Sequence, residues 1–402
     1  MALHGAKGVG KTATASRVAA STLAMDRAEQ VELLRANPRL LRDSPRPALI
    51  DEWQRHPPTW DMVRRLVDEG AAPGSFILTG SAKPSAPTHS GAGRIVRLRM
   101  RPMGFHERGV GVPSVSLAQL ASGAKPSLVG TTDVGLTTYA EEIVRSGFPG
   151  VRKWDVRGAS RMIDGYIAQA VEHDFSELGH VVRRPEALRA WLTAFAAATA
   201  TTASYEEITA AATPGLANKP ARSTTLAYRD VLARLWLIDQ LPAWGGAGLS
   251  LGVLAQSPKH FLADPALAAR LVGLDAASLI GAPDPSAMRS RRHRFLAGAL
   301  FEHLAVLTCL VLGGPLELTA AHLRTARGEH EVDLILTRPD GRPLAIEVKL
   351  SPVPDSHDVA HLKWLSAKLG DQLADAVILN TGPAAYRRQD GIGVVPLALL
   401  GP

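Results

Sequence analysis

Cysteine is nearly missing from this chain: Cys309 stands alone among 402 residues. A single thiol excludes an intramolecular disulfide framework and points to a reducing compartment. Its setting in an apolar helical run reads as a buried, inert thiol, not a nucleophile. A long apolar run is missing as well. The most hydrophobic stretch, Leu304 to Leu312, falls short of the roughly 20 residues that cross a bilayer. The opening residues carry glycine and two lysines where a secretory signal would place an apolar segment. The expectation is therefore a cytoplasmic protein with no membrane partner. Excess charge is also absent: 46% hydrophobic and 21% charged residues make an ordinary globular balance, enough for two or three cored domains. The net charge of +7 permits contact with nucleic acid without establishing it. No internal repeat is visible.

What is present begins at residue 5. Gly5-Ala6-Lys7-Gly8-Val9-Gly10-Lys11-Thr12 matches the phosphate-loop pattern GxxxxGK[ST] in full. Backbone N–H groups of Gly5, Gly8, Val9, Gly10, Lys11, Thr12 and Ala13 would turn toward ATP phosphates, helped by the dipole of the following helix. Lys11 would reach the β- and γ-phosphates, and the Thr12 hydroxyl would ligate Mg²⁺. Four residues precede the loop, so the strand feeding it can only be "MALH". Downstream, "PALIDEWQ" reads as a strand, Ala48 to Ile50, ending in two acids. Asp51 would complete the Mg²⁺ shell and Glu52 would polarise the attacking water. A further strand, "SFILTGSA", ends in Thr79 and Ser81. The sequence leaves open whether their hydroxyls read the γ-phosphate or serve a turn at Gly80.

The rest of the chain is read more coarsely. Residues 1 to about 106 alternate short apolar runs with helical stretches, as in an α/β domain. Residues 84–93 and 108–135 read as loops, and 138–213 as almost wholly helical. "TPGLANKPA" interrupts the pattern, and helix, turn, helix and strand then follow in winged-helix order. Lys219, Arg222 and Arg229 are the candidates to meet DNA or RNA phosphates there. The basic run at 289–294 reads as a solvated loop, and residues 250 to 295 give no clear pattern.

In "EVDLILTRPDGRPLAIEVKL", Glu347 and Lys349 lie two apart on a strand and share a face. Pro339-Asp340-Gly341 suits a type I turn followed by a left-handed glycine. That three-residue loop pairs Arg338 with Arg342 and sets Asp333 opposite Glu347, whereas a two-residue loop would send Asp333 to the other face. Asp333 and Glu347, with Glu302 from "LFEHL" and Lys349 beside them, could hold Mg²⁺ and steady a scissile phosphate. The set resembles the D…ExK core of restriction-type nucleases. A hairpin with paired surface charges, or a nuclease fold kept as scaffold, is the plainer alternative.

Taken in order, "GAKGVGKT", "LIDEWQRHP", "FILTGS", "GRIVRLRMRPMGFHE", "SGFP", "FLADPAL", "GALFEHL" and "EVDLIL…AIEVKL" resemble a widespread group of prokaryotic AAA-type ATPases. The resemblance covers nearly the whole chain. It implies an AAA-type P-loop domain at 1–136, a helical and winged-helix-like module at 137–250, and an α/β domain of restriction-endonuclease-like fold at 251–402. Against the family pattern, "ATASRVAASTLAMDRAEQ" reads as shortened, lacking the strand usual there. The resemblance also implies an arginine finger from a neighbouring subunit, hence a homo-oligomer, with Arg94 the first candidate and Arg101 the second. The expected function is a Mg²⁺-dependent ATPase that switches a nuclease-like domain. An ATP-regulated DNA or RNA nuclease and a non-hydrolysing ATP-binding scaffold are the alternatives.

Overall fold

The computed structural model describes residues 1–82, 91–180, 182–213, 220–246, 257–281, 287–325 and 328–402, with side chains of 287–291 excepted. The expected loop at 84–93 and Lys219 fall largely or wholly outside these residues.

The first 100 residues build a five-stranded parallel sheet from β1 (Ala2–His4), β2 (Ser21–Ala24), β3 (Ala48–Asp51), β4 (Phe76–Gly80) and β5 (Arg97–Arg99). Its order is β2-β3-β4-β1-β5. β1 has three residues, all buried, and it is interior, with Leu3 paired to Thr79 on one side and Leu98 on the other. A strand so short holds because both edges are hydrogen-bonded and both faces covered, the condition under which parallel strands read as plain apolar runs. "FILTG" of β4 is likewise buried throughout. The stretch read as lacking a strand contains one: "STLA" forms β2 and pairs with β3, Leu23 beside Ile50. Only Leu23 of β2 is buried, so the edge strand carries little apolar signal.

Residues read as one helical stretch resolve into separate helices, among them Leu136–Arg145, Val156–Gln169, Pro185–Ala197 and Tyr205–Ala212. The alanine-rich run breaks after Ala197, and Ala200 takes a left-handed turn (φ 60°), its N–H donating to the His260 carbonyl. The helix Arg222–Arg234 then leads into β7 (Ile238–Leu241), which pairs antiparallel with β8 (Lys259–Leu262). This ribbon spans the expected boundary at 250. Before it, β6 (Val115–Ser116) had left the first domain to pair with β15 (Leu400–Gly401) at the far end of the chain.

The 27-residue helix Ala287–Gly313 leads to a six-stranded mixed sheet. Its strands are β9 (Thr319–Arg324), β10 (Glu331–Thr337), β11 (Pro343–Val348), β12 (Asp375–Asn380), β13 (Tyr386–Arg387) and β14 (Gly393–Pro396), in the order β13-β14-β12-β11-β10-β9. By length and composition Arg292–Gly313 could span a bilayer, contrary to the shorter stretch read from sequence; 72% of its 18-residue apolar stretch is buried within the fold, as in a core helix. One apolar cluster runs unbroken from Val9 through Phe148, Trp191 and Phe301 to Ile346 and Val395. The three segments thus share a core instead of hanging as separate beads.

Candidate functional site

β4 lies between β1 and β3, so the carboxyl end of β4 stands between the phosphate loop and the acids that follow β3. Such strand ends are where open α/β sheets bind ligands. The loop leaves β1 and enters the helix Lys11–Ala15, with Gly10 at φ 102°, a conformation that side chains strain to adopt. Lys11 is buried, and its ammonium donates to the carbonyls of Gly5 and Ala6, each at 2.9 Å. Burial pushes its pKa down to about 8, with nearby Lys7 adding to the effect and Glu52 and Asp51 opposing it.

The Thr12 hydroxyl donates to Asp51 Oδ1 at 2.8 Å, and Thr79 donates to the same oxygen. Ser81 donates to Glu52 Oε2 at 2.8 Å, and the Gln54 amide also donates to that oxygen. Glu52 itself has a left-handed backbone (φ 50°), a strained turn for a non-glycine residue of the kind found at functional sites. The sequence-predicted Lys11, Thr12, Asp51, Glu52, Thr79 and Ser81 are therefore brought together. Thr12 and Asp51 offer two oxygens on one side of the loop, a donor set that fits Mg²⁺.

The arginines read as fingers stand elsewhere. Arg94 is exposed and pairs with Asp68 of its own domain. Arg101 pairs with Asp239 at 2.7 Å, and Arg99 with the same carboxylate at 2.8 Å, so Arg101 is engaged with β7 within its own chain. Of the basic residues read as phosphate contacts, Arg222 pairs with Glu206 and Arg229 with Asp230.

Contacts that sequence reasoning missed tie the loop to the middle helices. Lys7 pairs with Asp174 at 2.7 Å and Glu177 at 3.2 Å, and Arg55, three residues past Glu52, pairs with Glu177 at 3.3 Å. The Tyr166 hydroxyl donates to the Lys7 carbonyl at 3.1 Å. Phe148 and Pro149 lie so close over Gly8 and Gly10 that an added methyl on either glycine would touch them at 3.8 Å. Gly147 N–H donates to the buried Asp264 at 2.7 Å, so "SGFP" and "FLADPAL" meet in space behind the loop.

In the last domain the hairpin has the register that the turn chemistry implied. Leu334 faces Ile346, Arg338 N–H donates to Arg342 O at 3.1 Å, and Gly341 is left-handed at φ 87°. Asp333 N–H donates to Glu347 Oε2 at 3.2 Å, Val348 N–H to Asp333 Oδ2 at 2.9 Å, and Lys349 to Glu347 at 3.3 Å. Glu302 joins them through a residue the sequence reading passed over, Lys259 of β8. Its ammonium, 1% exposed, lies 2.8 Å from Asp333, 2.9 Å from Glu302 and 3.2 Å from Glu331. Burial disfavours the Lys259 charge, but the three carboxylates outweigh it and hold its pKa well above the usual range. Burial and the Asp333 charge push Glu302 up to about 8 and raise Glu347 strongly too. For Asp333 burial is overcome by Lys259, and its pKa is lowered. Among the described residues no three His, Cys, Asp or Glu side chains are arranged to hold a metal. Of the expected Mg²⁺ set, Glu347 lies directly beside Asp333, while Glu302 reaches Asp333 across the Lys259 ammonium.

Residues 1–108 match the model of an AAA domain; 136–278 and 297–400 match two domains of unknown function, DUF8612 and DUF4143. Two curated relatives, from Mycobacterium bovis and Mycobacterium tuberculosis, are each named an uncharacterized protein. Both are 27% identical over 355 residues, 86% of this chain and 67% of theirs. No solved structure matches. In its first 108 residues the chain is thus similar to AAA domains, and its parallel sheet is consistent with a P-loop ATPase that binds ATP.

Proposed function

We propose that this chain is a Mg²⁺-dependent ATPase of AAA type whose turnover shifts the middle helices against the C-terminal sheet. The observation that carries the reading is the convergence of Lys11, Thr12, Asp51, Glu52 and Thr79 at one edge of one sheet. Lys11 exchanges the carbonyls of Gly5 and Ala6 for phosphate oxygens when nucleotide enters. Thr12 and Asp51 hold the Mg²⁺, which when bound offsets charge on the phosphate oxygens. Glu52, oriented by Ser81 and Gln54, accepts a proton from the attacking water. Thr79 keeps Asp51 aimed. Lys7 of the phosphate loop and Arg55, three residues past Glu52, both reach Glu177, so a change at the phosphates is felt by the middle helices. An arginine of a second copy, Arg94 by the reading above, supplies the remaining cation in a homo-oligomer.

The test is nucleotide binding and phosphate release by the wild type, Lys11→Ala and Glu52→Gln. The wild type binds and turns over ATP, Lys11→Ala does neither, and Glu52→Gln binds without turnover. A folded wild type that ignores ATP sinks the reading and leaves a scaffold.

A second reading, nucleic-acid cleavage, draws on the pairing of Asp333 with Glu347 beside Lys349. The order of helix, helix and two strands from Tyr205 to Leu262 supports a winged-helix-like module that would bring DNA or RNA near. Lys259 among the carboxylates weighs against metal-dependent cleavage in this state.

A further inference from the structure

A lysine with 1% of its side chain exposed is costly unless acidic partners meet it, and Lys259 is met by the carboxyl groups of three residues. Those acids come from two elements: Glu302 from the helix Ala287–Gly313, and Glu331 and Asp333 from β10. Lys259 arrives from outside both, on the ribbon β7–β8. Oxygen distances of 2.8 to 3.2 Å suit an ammonium donor. A bound Mg²⁺ would require oxygens at about 2.0–2.1 Å, so the same carboxylates would have to close in around the point Lys259 now fills.

We propose that Lys259 is the resident cation of this acidic site, and that it and a divalent metal exclude one another. The site is a cation seat of Glu302, Glu331, Asp333 and Glu347, with the lysine as its built-in occupant. Lys349 pairs with Glu347 at 3.3 Å on one side of the seat, and a divalent ion at the point Lys259 fills would meet direct repulsion from the Lys259 ammonium at contact distance. The seat opens to metal only if β8 withdraws.

The ribbon that carries the lysine is also linked to the other end of the molecule. Asp239 of β7, two residues across the ladder from Lys259, clamps Arg99 and Arg101. Between those arginines Met100 N–H donates to His4 O at 2.7 Å, at the base of the phosphate loop. A ribbon held at one end by the loop strand and at the other by the acidic site is placed to move the lysine when the loop moves.

The test is Mn²⁺ binding by the full chain without nucleotide, read by electron paramagnetic resonance. It is done in an Asp51→Asn background so that the phosphate-loop pair contributes nothing. With Lys259 present, binding is weak; Lys259→Met strengthens it by at least about a hundredfold, the effect of removing one adjacent positive charge. Adding Asp333→Asn to Lys259→Met abolishes the gain. If Lys259→Met does not fold alone, Mn²⁺ restores its near-ultraviolet circular dichroism. Equal Mn²⁺ affinity with and without Lys259 overturns the proposal, as does a Lys259→Met chain that Mn²⁺ neither binds nor refolds. No ATP enters the experiment, so its outcome is separate from the ATPase reading.

Discussion

Lys11 and Lys259 are both buried lysines near two or more carboxylates, yet their charges are shifted in opposite directions. Lys11 touches only loop carbonyls, while the acids around it are occupied by hydroxyl and amide donors: Asp51 by Thr12 and Thr79, Glu52 by Ser81 and Gln54. Desolvation then dominates and its pKa falls to about 8. Lys259 touches three acids directly, and the ion pairs outweigh the same desolvation. The first arrangement keeps a cation and its neighbouring acids separately available for an incoming anion and its metal. The second spends both on each other. One site is poised, the other filled.

The sharpest break of that contrast is to delete each lysine in turn. Lys11→Ala lowers ATP hydrolysis by roughly a thousandfold or more, since it removes the cation that meets the transferred phosphate. It lowers the urea midpoint far less than loss of Lys259 does, because Lys11 pairs directly with no acid: leaving the buried Gly5 and Ala6 carbonyls without a donor costs about 1–3 kcal/mol, partly offset by removal of a desolvated ammonium. Lys259→Ala does the reverse. It destabilises the chain by about 3–5 kcal/mol in urea titrations, the loss typical when one member of a buried ion pair is removed. A large stability loss in Lys11→Ala, or none in Lys259→Ala, would erase the distinction.

A smaller effect separates the sites by pH. ATP carries negative charge and favours the charged form of Lys11, so binding takes up a proton once the free ammonium begins to titrate. ATP affinity therefore falls as pH rises through about 8, measured by isothermal titration calorimetry in buffers of differing ionisation heat. The acidic site shows the opposite group and another window. Glu302 holds its proton up to about 8, against an ordinary value of 4.5, so the folded state binds the proton more tightly than the unfolded. Its contribution to stability is complete below pH 4.5 and is lost as pH rises through 8. Glu302→Gln flattens that part of the stability profile in urea midpoints taken at stepped pH, while leaving the pH dependence of ATP binding untouched.

The first site was more legible in the sequence than the second, for a reason of distance along the chain. Its parts are local patterns: a glycine loop, an acid pair ending a strand, hydroxyls ending another. Each announces itself in fewer than ten residues. What sequence missed there was β2, where three of four residues are not fully buried and no apolar alternation survives. The order of strands then puts Thr79 beside Asp51 without further information. At the second site Asp333 and Glu347 were legible because a turn fixes their register. Lys259 was not, because its partners lie 43 and 74 positions away and nothing in "PKHFLADPAL" marks it as facing them. Its one signal was indirect: a lysine and a histidine leading into the apolar Phe261-Leu262, a strand fully buried in the fold.

The smallest expected effect tests that register directly. Gly341 sits at φ 87° with no atom near the position a side chain would take, so Gly341→Ala meets no clash and reports only backbone strain. For a side chain in the left-handed region that is about 1–2 kcal/mol, a modest drop in the urea midpoint. The companion change Asp340→Ala removes the carboxylate that accepts from Arg342 N–H at 3.1 Å and costs less, because that contact is exposed to water. If Gly341→Ala proves neutral, the loop is not the three-residue turn with a left-handed glycine. The ladder then slips by one, Asp333 leaves the face of Glu347, and Lys259 loses the partner at 2.8 Å that anchors the acidic site. A loss of the stated size ties the chemistry of the second site to one glycine in a surface turn, 82 residues after the lysine it helps to hold.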